Sequence, residues 1–401
     1  MAEDRYDYVI VGAGRAGGSA VEGIRSKDLE GSVLMIGKEE HLPYDRPPLS
    51  KKLWFGEKKV EDIFSYTRDF YTDNNVDLLL DTEVTAIDSH NKKVKDSRRN
   101  TWGFDKLLLA TGGIPRRLDI PGGDLKEICY YRDLDDYMSL RDQIADKKTA
   151  LIIGGGFIGS ELAAAMCVNG VQTTMLYREP WIVHRIFPES VGLAIEQKFM
   201  EKGVLIRKND APIKIERLHG RFFTTTRDGK QIESEILIVG IGVIPSTKLA
   251  EMAKLTVENG IVVNENLQTS HDHIYAAGDN ASFPYTALGK QTRVEHWDNA
   301  LQQGLHAGWN MAGRGSKYDY MPYFWSDLFE FGYEAVGEID SDLDIFTDLN
   351  GENQEGVIFY VKDRKVRGVM TCNIYGKMDA ARNLIRSKKE MSPEDLKGAI
   401  L

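Results

Sequence analysis

Cysteine is scarce in this chain. Only Cys129, Cys167 and Cys372 occur among 401 residues, and no two are spaced as CxxC or CxxxxC. That spacing excludes a local redox-active pair and a thiolate metal cluster. Positive charge is also short: 51 Lys and Arg stand against 61 Asp and Glu, for a net charge of −10. Nucleic acid and anionic membrane surfaces both call for a cationic face, so neither is expected as a partner. Long apolar runs are missing as well. None approaches the roughly 18 residues of a membrane span, and the stretch Ala150–Ile158 is interrupted by glycines. The start, Met-Ala-Glu-Asp-Arg, has no cationic segment leading into an apolar one, so no secretory signal is expected and the cytoplasm is the expected location. The histidines are scattered. His271 and His273 flank Asp272 without a further ligand cluster, so a loop is expected there and no metal site.

What the chain does have is a diverged internal duplication. The β-branched run Tyr8-Val-Ile-Val11 leads into Gly12-Ala-Gly14-Arg-Ala-Gly17, a helical stretch Gly18–Ser26 and a second apolar run, Ser32–Ile36. The order recurs with Ala150-Leu-Ile-Ile153, Gly154-Gly-Gly156-Phe-Ile-Gly159, a helix Ser160–Val168 and a strand Val171–Leu176. In such a strand–turn–helix unit the first glycine makes the tight turn. The second lets backbone approach a pyrophosphate, and the third lets helix and strand pack closely. One such motif is a weak signal; two in the right context predict a protein that binds two dinucleotides. Further glycine turns follow apolar runs at Lys106–Gly113, Leu237–Gly242 and Ile274–Asp279. From Tyr323 the pattern alternates, with Gly356–Val361 and Lys365–Met370 reading as antiparallel strands before a final helix near Lys377.

The strings Leu42-Pro-Tyr-Asp-Arg-Pro-Pro-Leu-Ser-Lys51, Ala110-Thr-Gly-Gly113, Gly154–Leu162, Ala277-Gly-Asp279, Arg293-Val-Glu-His296 and Phe324-Trp-Ser-Asp327 carry a resemblance. Over nearly its whole length the chain resembles the FAD-dependent pyridine nucleotide oxidoreductases. The branch is that of ferredoxin and rubredoxin reductases, monodehydroascorbate reductase and apoptosis-inducing factor. The part from Phe324 to Tyr360 looks closest to apoptosis-inducing factor, and Arg178-Glu-Pro-Trp181 is similar to monodehydroascorbate reductase. The resemblance implies an α/β fold with two Rossmann-like dinucleotide-binding domains and a C-terminal α+β domain. The FAD domain is expected at 1–117 and 244–322, split by an NAD(P)H domain at 118–243, with the α+β domain at 323–401. Compared with animal apoptosis-inducing factors the chain lacks a leader and a long C-terminal insertion, so a cell-death role is not carried over.

The same resemblance implies the site. Gly12, Gly14, Ala16, Gly17, Val84, Ala110, Thr111, Gly112, Gly242 and Gly278 are expected around FAD, with Asp279 accepting from the ribityl chain. The family's ribose acid follows the strand glycine directly. Here that residue is Lys38, which can only donate, so Glu39 is taken as the substitute. Arg46 is expected at the phosphate side of the flavin and Lys51 near its reactive edge, with Arg132 as a further flavin contact. Gly154, Gly156, Phe157, Ile158 and Gly159 are expected to hold the nicotinamide dinucleotide, with Phe157 over the ring and Glu161 paired to Lys51. Glu179 matches the acid that binds the adenine ribose and favours NADH, while the neighbouring Arg178 suits a 2′-phosphate and leaves NADPH open. Glu295, His296 and Trp325 are expected at the nicotinamide–flavin junction, with Asn373 closing its nicotinamide side. Lys51, Phe157, Glu161, His296 and Trp325 form the catalytic set. The expected reaction is hydride transfer from nicotinamide to flavin, then electron delivery to a small redox carrier protein such as ferredoxin or rubredoxin. A small-molecule reductase and a slow redox sensor are the alternatives, and a homodimer is left open.

Overall fold

The fold is taken from a computed structural model that describes residues 4–351 and 354–400. It divides into two compact units. The first comprises Met1–Asp45, Val60–Ile114 and Pro245–Pro322; the second comprises Arg46–Lys59, Pro115–Ile244 and Tyr323–Leu401.

In the first unit the fully buried run at the end of Arg5–Val11 forms the centre of a seven-stranded sheet. Val76–Leu79, Val33–Ile36, Arg5–Val11, Thr101–Leu109 and Ile274–Ala276 lie side by side in that order, all parallel. Near-continuous apolar sequence is what a sheet covered on both faces requires. The carboxyl ends are in register: Ile36 faces Leu79, Val11 faces both Ile36 and Leu109, and Leu109 faces Ala276. Gly12, Gly37, Ala110 and Ala277 therefore leave the sheet along one edge, where ligands of open α/β sheets bind. Lys93–Asp96 and Val84–Asp88 extend the sheet antiparallel.

The helices Arg15–Arg25 and Trp297–Met311 pack against each other through glycine. A Cβ on Gly304 would lie 2.2 Å from the Ala16 carbonyl oxygen, and one on Gly308 would lie 2.2 Å from that of Ala20. This is a backbone-to-backbone contact that any side chain would force apart.

In the second unit Leu205–Arg207, Gln172–Leu176, Thr149–Ile153 and Ile236–Val239 form a four-stranded parallel sheet in that order. Leu151, Ile153, Leu176, Leu237 and Val239 pack with Ile128, Tyr130, Ile215 and Phe222 into one buried core. A three-stranded antiparallel sheet spans Pro212–Leu218, Arg221–Thr226 and Gln231–Ser234. The C-terminal sheet is five-stranded and antiparallel, ordered Tyr323–Leu328, Phe331–Gly337, Lys365–Cys372, Glu355–Lys362 and Asp344–Asn350. The helix Met378–Ser387 packs on it.

Both glycine-turn helices begin earlier than the sequence pattern indicates, at Arg15 and Phe157 rather than Gly18 and Ser160. Glycine has poor helix propensity, but Gly17 and Gly159 are held in the first turn by close packing rather than by preference. Phe157 and Ile158 consequently stand in the first turn of a helix. A short helix, Pro393–Leu396, follows the one expected to be last; a reciprocal Ser392–Asp395 capping box starts it.

Candidate functional site

The two glycine turns show the same division of labour. A Cβ on Gly12, at φ +117°, would sit 2.1 Å from the Ala110 carbonyl oxygen, and one on Gly17 would sit 2.1 Å from that of Gly12. In the second turn a Cβ on Gly154, at φ +119°, would meet the Gly240 oxygen at 2.2 Å, and one on Gly159 the Gly154 oxygen at 2.0 Å. The middle glycines differ: a Cβ on Gly14 or Gly156 meets nothing within 4 Å. Each caps its helix in extended conformation without a side-chain hydrogen bond, and neither helix has an acidic residue in its first turn. Open space before a helix start that has no side-chain cap and no acidic residue is a cradle for a dinucleotide pyrophosphate. The residues present fit two such groups.

Along the same edge of the first unit, Ala110-Thr-Gly112 and Gly278-Asp-Asn280 are tied together. Asn280, fully buried, donates from Nδ2 to the Leu109 carbonyl at 3.1 Å and to Thr111 Oγ1 at 2.9 Å. Thr111 Oγ1 in turn donates to the Ser246 carbonyl at 2.8 Å. Gly278, at φ +87°, comes close to Ala16 and takes Gln303 Oε1 as acceptor for its N–H at 2.9 Å. Asn280 and Gln303 were not singled out from the sequence; Asn280 directly follows the Gly-Asp pair, but Gln303 has no local signal.

Lys38 is exposed and paired with Glu83 at 3.2 Å, whereas Glu39 is half-buried and accepts from the Tyr44 hydroxyl at 2.6 Å. Arg293 donates to the Asp279 carbonyl at 3.0 Å and pairs with Glu295, so these two are placed together. His296 is the extended N-cap of Trp297–Met311. Val84 directly follows Glu83, the partner of Lys38, and stands opposite Asp96 in the antiparallel limb.

In the second unit a buried ion pair gathers three of the catalytic candidates. Lys51 and Glu161 side chains are 8% and 6% exposed, and their charged atoms are 3.2 Å apart. Lys51 Nζ also donates to the Trp325 carbonyl at 3.2 Å and lies 5.7 Å from that indole's centroid. Ser50 and Ser326 each donate a hydroxyl to Glu161. A buried carboxylate persists only when its charge and lone pairs are met, and here three donors meet them. Tyr333, buried beside them, has its phenol pushed well above the ordinary range, first by burial and then by the charge of Glu161.

Phe157 meets Phe324 edge-on at 5.5 Å, with Ile158 exposed beside it. Arg46 Nη1 donates to the Arg132 carbonyl at 2.8 Å, which joins those two candidates. Arg132 N–H donates to Asp136, whose carboxyl is pushed up to about 6 by burial and then by the charge of Asp133. Gly242 turns at φ +106° with open space at its Cβ position. Asn373, at φ +54° just after the strand Lys365–Cys372, accepts from Gly332 N–H at 2.8 Å. Glu179 is 30% exposed and pairs at 3.1 Å with Arg178, which is 71% exposed.

Residues 6–304 match the pyridine nucleotide-disulphide oxidoreductase family. The chain belongs to that family. Residues 307–348 and 347–387 match the C-terminal region of the mitochondrion-associated apoptosis-inducing factor. The chain is 31% identical to rubredoxin-NAD(+) reductase of Pseudomonas putida, over 91% of this chain and 95% of that protein. It is also 31% identical to apoptosis-inducing factor 1, mitochondrial, of Dictyostelium discoideum, over 98% of this chain and 80% of that protein. Among solved structures, that of the covalent putidaredoxin reductase–putidaredoxin complex matches with a TM-score of 0.90 at 32% identity, covering 98% of this chain and 95% of that one. The resemblance and the fold class read from the sequence are thereby borne out.

This pyridine nucleotide-disulphide oxidoreductase is an enzyme that uses FAD and NADH. Its three cysteines are free thiols. Burial pushes Cys129 and Cys167 up from the ordinary thiol range and Cys372 up to about 12, which suppresses the reactive thiolate. Among the described residues no helix is long and apolar enough to cross a membrane.

Proposed function

We propose that this chain is a cytoplasmic NADH-dependent reductase that passes electrons to a small iron–sulfur or rubredoxin-type carrier protein. One observation carries the reading: a rubredoxin reductase and the reductase of a putidaredoxin complex match this chain along almost all of their own length. FAD, when bound, takes a hydride from the nicotinamide and releases electrons to an acceptor. The chain's own residues supply binding and orientation. The first unit holds FAD on the turn Gly12–Gly17, with Asn280 bracing the Ala110–Gly112 and Gly278–Asp279 turns and Glu39 accepting from the ribose.

Residues 115–244 hold the nicotinamide dinucleotide on the turn Gly154–Gly159, with Glu179 as ribose acceptor. Arg178 already neutralises part of the Glu179 charge, so the preference for NADH is moderate. Glu161 pairs with Lys51 and holds its side chain in one place. Phe157, Trp325 and Asn373 shape the approach of the nicotinamide.

The match of residues 307–387 to the apoptosis-inducing factor C-terminal region favours a second reading, a redox-responsive protein with slow turnover. The protein is expected to purify yellow and to be bleached by NADH without added thiol. Anaerobically reduced protein is then mixed with a [2Fe–2S] ferredoxin, rubredoxin, a quinone or monodehydroascorbate in a stopped-flow instrument. Fastest reoxidation by one of the carrier proteins is expected. Fastest reoxidation by a small molecule would refute the carrier assignment, and slow reoxidation by every acceptor would favour the second reading.

A further inference from the structure

A buried carboxylate outside the catalytic set organises the loop that bears Glu179. Glu196, on the helix Glu189–Glu201, is 2% exposed. It accepts from the Tyr177 hydroxyl at 2.7 Å and from Ile182 N–H at 3.0 Å, and it pairs with Lys208 at 2.7 Å. Tyr177 and Ile182 are the two ends of the segment that follows the strand Gln172–Leu176, and Glu179 lies between them.

The same segment is fastened to the second glycine turn. The ring of Tyr177 fills the space beside Gly155, where a Cβ would lie 2.7 Å from it, and Val183 N–H donates to the Gly155 carbonyl at 2.7 Å. On its other side Tyr177 N–H donates to the Arg207 carbonyl at 3.0 Å, and Asn209 N–H reaches the Glu179 carbonyl at 3.4 Å. A carboxylate at this depth is costly unless every lone pair is used. An apolar side chain would fill the volume at lower cost but could not hold both ends of the segment. Burial and the Glu196 hydrogen bond also push the Tyr177 phenol far above its ordinary range, so it remains a donor at any working pH.

We propose that Glu196 is a positioning residue for the pyridine nucleotide: it fixes the Glu179 segment against the glycine turn, so that ribose acceptor and pyrophosphate cradle keep one separation. The inference rests on the reading that residues 115–244 bind the nicotinamide dinucleotide. Glu196→Gln loses the charge-assisted bond from Lys208 and presents an N–H to that ammonium. Tyr177→Phe keeps the ring beside Gly155 and removes only the hydroxyl.

The test is calorimetric titration of the FAD-loaded protein with NAD+, together with NADH kinetics and thermal melting. Loosening of the segment should weaken NAD+ binding and raise the NADH KM by about tenfold in Glu196→Gln, the loss of one charge-assisted hydrogen bond, and by about threefold in Tyr177→Phe. In both, kcat and FAD content should stay at the wild-type level. Wild-type NAD+ affinity in both variants, with only the melting temperature lowered, would show a purely structural role and overturn the proposal. If Glu196→Gln does not fold, unchanged NAD+ affinity in Tyr177→Phe overturns it alone. Wild-type protein that neither binds NAD+ nor is reduced by NADH would overturn the functional reading itself, and this inference with it.

Discussion

The paired glycine turns allow the two cofactors to be separated by mutation. Gly12→Ala, Gly14→Val and Gly156→Val place side chains in different surroundings. At Gly12 the added carbon meets the Ala110 carbonyl at 2.1 Å and the backbone is held at φ +117°. Left-handed backbone costs an L-residue about 1–2 kcal/mol and overpacking about 1–3 kcal/mol, so Gly12→Ala should lose roughly 3 kcal/mol of stability. Gly14 is different: φ −100° and ψ −167° suit any residue, and no atom lies within 4 Å of its Cβ position. Replacing a glycine N-cap with an apolar residue costs about 1 kcal/mol or less, so the apoprotein should melt within a few degrees of wild type. Its side chain, however, occupies the space reserved for the pyrophosphate, and the flavin-to-protein absorbance ratio should fall to near zero. Gly156→Val, with the same open geometry, should keep its flavin and lose NAD+ affinity by calorimetry. The reasoning is refuted if Gly156→Val sheds FAD while Gly14→Val retains it, or if Gly14→Val destabilises the apoprotein as much as Gly12→Ala.

Further outcomes follow from the second unit. Lys51→Ala leaves Glu161 buried with only its serine donors, and breaking such a pair typically costs about 3–5 kcal/mol. Phe157→Ala should keep FAD and change only the rate of flavin reduction by NADH; equal melting temperatures and equal reduction rates in these two variants would refute both roles. Glu179→Ala removes a ribose acceptor and frees Arg178 from its ion pair, so the ratio of kcat/KM for NADH to that for NADPH should fall by roughly tenfold, about 1.4 kcal/mol; an unchanged ratio places the selector elsewhere. Asp136, with its folded-state value raised to about 6, holds a proton in the folded protein at pH values where the unfolded chain has lost it. Its contribution to stability is therefore lost as pH rises from about 4 to about 6. Asp136→Asn should melt higher than wild type at pH 7.5 and converge with it below about pH 4; a lower melting temperature at pH 7.5 would contradict the burial argument.

Much of the architecture was legible because it depends on short-range rules. Val9-Ile-Val11 and Leu151-Ile-Ile153 are apolar on both faces, and each runs into glycines that only tight turns require. Strand and turn are thus specified within about a dozen neighbouring residues, and so were both dinucleotide motifs. The alternation at Glu355–Lys362 and Lys365–Cys372 likewise marked an antiparallel sheet. Even so, the helix starts at Arg15 and Phe157 escaped local reading. Glycine propensity argues against helix there, and close backbone packing overrides it.

What only the tertiary structure decided is how the polar groups are satisfied. Ser50 and Ser326 meet on Glu161 from 111 and 165 residues away along the chain. Asn280 reaches back 169 residues to Thr111, and Gln303 turns toward Gly278 from a separate helix. Glu196 looks like any acidic residue of an amphipathic helix until Tyr177, Ile182 and Lys208 surround it. No periodicity reveals what such residues meet, because a serine, asparagine or glutamate has the same local preferences whether it faces water or a buried charge. The sequence determined where backbone approaches a pyrophosphate, since glycine geometry is local. Which side chains hold those turns and charges in place was settled by folding, since burial makes each polar group find a partner wherever the chain has brought one.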